Sequence, residues 1–335
     1  MESPILFIAF KRLDTTKKVF EAILDVQPKK IYIAIDGPRN LKEFNEVESV
    51  RAYISNKIEH IKWDCKIKTK FNEKNLGIGF GATNAIDWFF ENEKKGIILE
   101  DDCVPNKSFF SFCDEMLNYF ENEKRVGMVE GFNPFPRIPI NHSFFFSKYT
   151  LCWGGWATWR DRWSLHDVFT NDWPLTKNTN FLRQFSNNKK QVATYWSLVF
   201  DAIHKKTNFS WDTRLSYAFF KKRMLSIIPR KNIVDNIGYG NEGATNTYLP
   251  KPHYIEELKK EELEFPLIYP KDFIIMEEWD ELIEKVLFDI NYKTITRLTI
   301  GNLIRSNRML KLFYPYISKL YKIYKVYFYK QKRIY

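Results

Sequence analysis

Short β-rich apolar runs alternate with helical patterns over the first hundred or so residues, and no other feature constrains the fold as strongly. "PILFIAF" (4–10) and "KIYIAID" (30–36) flank a segment, Thr15 to Leu24, in which Val19, Phe20, Ile23 and Leu24 share one helical face. A third run, "KIKTKF" (66–71), precedes "NLGIGFGATNAIDWFFEN", whose second half reads as a helix through Ala85, Trp88 and Phe89. A fourth strand, "GIILED", ends in Glu100, Asp101 and Asp102. Such alternation predicts an α/β fold with a mixed, mainly parallel sheet flanked by helices, and open sheets of this kind bind ligands at the carboxyl ends of their strands. Arg12, Asp36 and the three carboxylates all fall at those ends.

Further along, helical patterns are expected at about 108–121, near 190–205 and within 209–223, with "VGMVEGF" (126–132) and "LSIIPR" (225–230) as further apolar runs. Residues 1–250 read as one catalytic domain, and the proline-containing stretch 251–292 as a connector wrapping the surface. Residues 293–335 read as a basic, aromatic, helical tail.

With 44% hydrophobic and 17% aromatic residues, the chain has enough apolar material for a core, which excludes a disordered protein. Cys65, Cys103, Cys113 and Cys152 lack CxxC or Cys/His spacing, so neither a zinc site nor a disulfide framework is expected. "SPILFIAF" has no charged region before it, and no run of 18 apolar residues occurs, so a cytoplasmic protein is expected.

The net charge of +11 is unevenly placed. From Lys293 to Tyr335 there are eleven Lys and Arg and no Asp or Glu, which leaves residues 1–292 neutral. A nucleic-acid groove on the body is therefore not expected. In "FYPYISKLYKIYKVYFYKQKRIY", Ile317, Leu320, Tyr321, Tyr324, Tyr327 and Phe328 lie near one helical stripe, with lysines and Arg333 largely around it. That pattern suits an interfacial helix, so residues 301–335 are expected to contact an anionic membrane surface, peripherally on the inner face of a bacterial cytoplasmic membrane. A helix docked on the protein's own surface is the alternative.

Three adjacent acids after a buried strand suit Mg2+ or Mn2+, hard cations that take oxygen ligands and share them with a diphosphate. Capping of the next helix is the alternative reading of the same acids. "ILEDDCVPNKSFFSFC" resembles the acidic motif of GT-A fold glycosyltransferases, in particular the N-acetylglucosaminyltransferase I type and its bacterial relatives. "PILFIAFKR" resembles that family's first strand, which implies donor contacts by Phe10 and Arg12, and "IAIDG" its second, with Asp36 reading the uracil. "WGGWATW" resembles its acceptor-side segment, here Trp153, Gly155 and Trp156, and "FSWD" the segment carrying the general base, here Asp212. As a residue read alone, Asp212 is equally a helix N-cap.

Asn75 and Gly77, in a glycine run that does not fit GxGxxG, are expected to meet the donor. The resemblance implies that Asp102 holds Mn2+ or Mg2+, while Glu100 and Asp101 position the metal or touch the donor. It implies a metal-dependent, inverting transfer of a sugar from a nucleotide-diphosphate donor, UDP-linked, to a glycan or lipid-linked acceptor. Where related bacterial proteins carry a His in a "GATxT" segment, this chain has Asn246. The rival readings are a metal-dependent phosphodiesterase or nuclease, and a noncatalytic carbohydrate-binding protein at the membrane.

Overall fold

The computed structural model of the chain describes residues 1–204, 210–239 and 252–307. Phe209 of "FSWD", Asn246 and the stretch from 308 onward lie outside the described residues.

The expected alternation forms one half of a large sheet. Strands β1 (Ile5–Ala9), β2 (Lys30–Ile35), β3 (Lys66–Phe71) and β4 (Lys95–Glu100) are connected by helices α1 (Leu13–Asp25), α2 (Leu41–Glu59) and α3 (Gly77–Asn92). They lie in the order β3-β2-β1-β4, every neighbour parallel. The chain continues through β5 (Cys103–Pro105), α4 (Lys107–Tyr119), β6 (Val126–Glu130), β7 (Phe144–Ser147) and β8 (Trp156–Trp159). Three short helices follow, α5 (Arg160–Trp163), α6 (Trp173–Thr176) and α7 (Phe181–Phe185), then the longer α8 (Lys190–His204) and α9 (Trp211–Lys222). Strands β9 (Leu225–Pro229) and β10 (Val234–Asn236) complete the set.

β8 enters antiparallel to both β4 and β6, so the sheet runs β3-β2-β1-β4-β8-β6-β9-β7 and is mixed. β6 and β9 are parallel, and β7 closes the far edge antiparallel to β9. A separate two-stranded ladder pairs β10 with β5 and carries residues 234–236 alongside the stretch that follows the acidic motif.

The tryptophans at 153, 156, 159 and 163, whose spacings of three and four suit one helical face, do not share a helix. Trp156 and Trp159 are both on β8, where residues three apart point to opposite faces, and they bury in different cores. Only Trp163 belongs to a helix, the single turn of α5. Helix α2 has no counterpart in the sequence reading. Its buried positions are only Glu43, Val47, Val50 and Ile54, a thin stripe on a long, charged helix, and Asn40 caps it by accepting the Glu43 N–H at 3.1 Å.

Past residue 252 the chain does more than wrap the surface. Helix α10 (His253–Glu256) is followed by Glu262, whose carboxylate accepts the Lys107 and Ser108 N–H groups at 3.2 and 2.8 Å, offsetting the positive end of α4. Ile275 bridges to Phe146 beside the β7 edge. In α11 (Glu277–Leu282), Trp279 is fully buried and donates its indole N–H to Asn133 at 2.9 Å. A π-helical turn, Ile283–Leu287, leads toward α12 (Tyr292–Ser306), which packs on α8, with Asn302 Nδ2 donating to the Leu198 carbonyl at 2.9 Å. The start of the expected tail is thus part of the packed body. No helix among the described residues is long and apolar enough to cross a membrane.

Candidate active site

A cavity of about 520 Å³ opens at the carboxyl ends of β1, β2 and β4. It gathers Phe10, Arg12, Asp36, Asn75, Gly77, Glu100, Asp101, Asp102, Trp153 and Asp212 from six separate stretches of sequence. Gly155 and Trp156 are not among its walls. Their acceptor-side assignment is corrected for a packing reason. Trp156 stacks on Trp211 at 5.5 Å between ring centres, 1% exposed, while Gly155 turns the chain at φ +74° with Leu99 pressed so close that a Cβ would lie 2.6 Å from its Cδ2.

The acidic motif does not cap a helix. Asn106 fills that role, its Oδ1 accepting the Phe109 N–H at 3.0 Å. Glu100 ends β4 and Asp101 and Asp102 form the turn beyond it. Arg12 Nη2 donates to Asp102 at 2.9 Å and also to Asp101. Burial opposes the charge on Arg12, but the two aspartates more than compensate and hold its pKa above the usual arginine value. Burial raises the Asp101 carboxyl to about 6 in spite of Arg12, and burial with the neighbouring acids raises Glu100 to about 8. Lys11 pairs instead with Glu43 at 3.1 Å and Glu46 at 3.0 Å, so of these two neighbouring cations it is Arg12 that bonds the acidic motif.

Asp36 is held by protein donors on both oxygens. Oδ1 accepts the N–H of Gly37 at 2.9 Å and of Leu76 at 3.0 Å, and the Asn72 amide at 3.1 Å. Oδ2 accepts Asn75 Nδ2 at 2.9 Å and the Leu76 and Gly77 N–H groups at 3.1 Å. Asn75 Nδ2 also reaches the Gly37 carbonyl at 2.8 Å. These two residues therefore shape the turn into α3, where Gly77 takes φ +78°, as well as lining the cavity. Beside them, the Arg39 guanidinium sits 5.6 Å from the centre of the Phe10 ring.

Asp212 lies in the first turn of α9 rather than at its cap, which is Ser210. Its Oδ1 accepts the Thr213 N–H at 2.7 Å, and burial raises its pKa above the ordinary aspartate value. Trp211 beside it packs against Trp156 and Trp163. His166 stacks on Trp163 with ring centres 4.5 Å apart and faces the Trp211 carbonyl at 3.3 Å, and burial lowers its pKa to about 4, so it is neutral.

Several cavity-shaping residues carry no sequence signal. Asn236 reaches the site only because β10 pairs with β5, and its Nδ2 donates to the Trp153 carbonyl at 2.9 Å. Two residues on, Gly238 passes so close that a Cβ would lie 2.3 Å from Asp102 Oδ2. Cys152, Ser210 and Tyr239 complete this side.

Can these residues hold a divalent cation? Among the described residues, no group of three or more His, Cys, Asp or Glu is arranged as a metal cage. The donor set nevertheless fits a hard cation that brings its other oxygens with it. Asp101 Oδ2 is buried with no hydrogen-bond partner, next to Asp102 on the cavity wall.

Fold and site together define an α/β protein with one large mixed sheet and a carboxylate-bearing cavity at the carboxyl ends of its parallel strands. No protein-family model matches the sequence, and no curated protein matches it. Among solved structures the chain is similar to HddC from Yersinia pseudotuberculosis, at 10% identity over 48% of this chain and 77% of that one, with a TM-score of 0.29. The same protein complexed with GMP-PN is matched at 12% identity over 45% of this chain and 61% of that one, with a TM-score of 0.26. At those scores the likeness carries no functional argument, and the site stands on its own geometry.

Proposed function

We propose that this chain is a metal-dependent, inverting glycosyltransferase that moves a sugar from a nucleotide-diphosphate donor, a UDP-sugar, to a hydroxyl of a glycan or lipid-linked acceptor. The observation that carries the reading is a single cavity that brings Arg12, Asp36 and Glu100–Asp102 together with Trp153, Trp211 and the buried Asp212.

In this reading Phe10, Arg39, Asn75 and Gly77 surround the nucleoside, and Arg12 meets the diphosphate. Asp102, with Asp101 beside it, would hold Mn2+ or Mg2+, which when bound offsets negative charge on the diphosphate leaving group. Arg12 already neutralises part of the buried carboxylate charge, so an arriving diphosphate can share that guanidinium without leaving the acids uncompensated. Asp212 takes the proton of the acceptor hydroxyl. Its raised pKa makes it a stronger base than an exposed aspartate, and its bond to the Thr213 N–H fixes its direction. Trp153 offers an apolar face to the acceptor sugar. Catalysis then rests on positioning, electrostatics and one proton transfer.

The residues beyond 307 are proposed to bring the enzyme to an anionic membrane surface on the cytoplasmic side, near a lipid-linked acceptor. A panel of nucleotide sugars, each offered with Mn2+ and with excess chelator, tests the enzymatic reading. Consumption of at least one UDP-sugar, lost with chelator, is expected, and consumption of none of them refutes it.

A further inference from the structure

Glu130 lies outside the cavity and is completely buried at the end of β6, opposite Trp156 of β8. A carboxylate in that setting carries a heavy desolvation cost unless strong donors surround it. No lysine or arginine is among the influences on it; its compensating donors are main-chain N–H groups. Its Oε1 accepts the N–H of Leu151 at 2.8 Å and of Cys152 at 3.3 Å, and its Oε2 accepts the Cys152 N–H at 3.2 Å.

Those two amides precede the most distorted backbone near the site. Cys152 has φ +56°, a left-handed conformation that non-glycine residues adopt only where their surroundings impose it, and Gly155 follows at φ +74°. Cys152 and Trp153 are the only members of this turn that line the cavity. The turn is gripped from two directions, by Glu130 on its N–H groups and by Asn236 on the Trp153 carbonyl.

We propose that Glu130 is a positioning residue for the acceptor subsite: its carboxylate holds the Leu151–Cys152 amides and thereby sets the Cys152–Trp153 wall against which the acceptor lies. The inference rests on the acceptor reading of that wall given above. Two negatively polarised oxygens serve two converging N–H groups, whereas an amide side chain offers one oxygen and turns an NH2 toward the other donor. Glutamine is therefore close in shape and wrong in chemistry.

The test uses the full chain with Glu130→Gln and Glu130→Ala. Amide hydrogen exchange is read at Leu151 and Cys152, binding of a panel of methyl glycosides by saturation-transfer NMR, and binding of UDP with Mn2+ by calorimetry. In Glu130→Gln, exchange at the two amides is expected to rise about tenfold, glycoside affinity to fall about tenfold, and UDP affinity to stay within about twofold. Should Glu130→Ala fail to fold, the glutamine variant carries the test alone. Unchanged glycoside affinity, or equal losses for UDP and glycosides, overturns the proposal, the second result marking Glu130 as general scaffolding. If the wild-type chain binds no glycoside while the variant's two amides exchange faster, the acceptor reading falls and the clamp on the turn stands.

Discussion

Arg12 Nη2 lies 2.9 Å from Asp102 Oδ2 and bonds Asp101 as well, so one side chain from the end of β1 ties together two acids from the end of β4. Removing it leaves buried negative charge without its main counter-ion and removes a donor from the phosphate side of the cavity. Arg12→Met is expected to weaken UDP binding about tenfold to a hundredfold, the range for a charge-assisted hydrogen bond. Calorimetry with Mn2+ present reads the change. Undiminished affinity would assign Arg12 to the scaffold alone.

Asp212 should separate chemistry from binding. Asp212→Asn preserves shape and can still accept the Thr213 N–H through its carbonyl oxygen, but it is no longer a base. Transfer is expected to slow by about 10² to 10⁴-fold with donor affinity unchanged. Parallel losses of affinity and rate, measured by calorimetry and initial-rate assay, would instead make the residue structural.

Glu130 gives stability a pH dependence of definite sign. Burial raises its carboxyl from 4.5 to about 7 in the folded chain. Between those values the folded protein retains a proton that the unfolded chain has released, so stability falls as pH rises through the window and is level above it. The effect is on the order of 3 kcal/mol for this group. Asp280, also raised by burial to about 7, acts in the same direction, so Glu130→Gln should reduce the slope without abolishing it. Urea unfolding at pH 5 and pH 8 checks this, and an identical slope in the variant would contradict it.

Helix α12 ends at Ser306, so a chain cut after residue 307 keeps every described element. A chain ending at residue 307 is expected to lose sedimentation with anionic liposomes while retaining its thermal stability and UDP affinity. Continued sedimentation of the shortened chain would move the membrane contact elsewhere.

How legible was this in the sequence? Strands β1, β2 and β4 were readable because each is a short apolar run with polar residues just beyond it, and those ends placed Arg12, Asp36 and Glu100–Asp102 together. Helix α2 was hidden by its thin apolar stripe. Trp156 was assigned to the cleft from the resemblance of "WGGWATW" to an acceptor-side segment, whereas the strand it forms sends Trp156 and Trp159 to opposite cores. Glu130, Asn236 and Gly238 gain their roles only through pairings between segments far apart in sequence, and no local pattern marks them.

The nucleotide product formed from a UDP-sugar is the most direct test of the central claim. With Mn2+ and a glycoside acceptor, the chain should release UDP in step with sugar transfer, and excess chelator or Asp102→Ala should remove most of that turnover. Release of UMP would contradict the account and identify phosphodiester cleavage, and full UDP release by Asp102→Ala would contradict the assignment of the cation to the acidic motif.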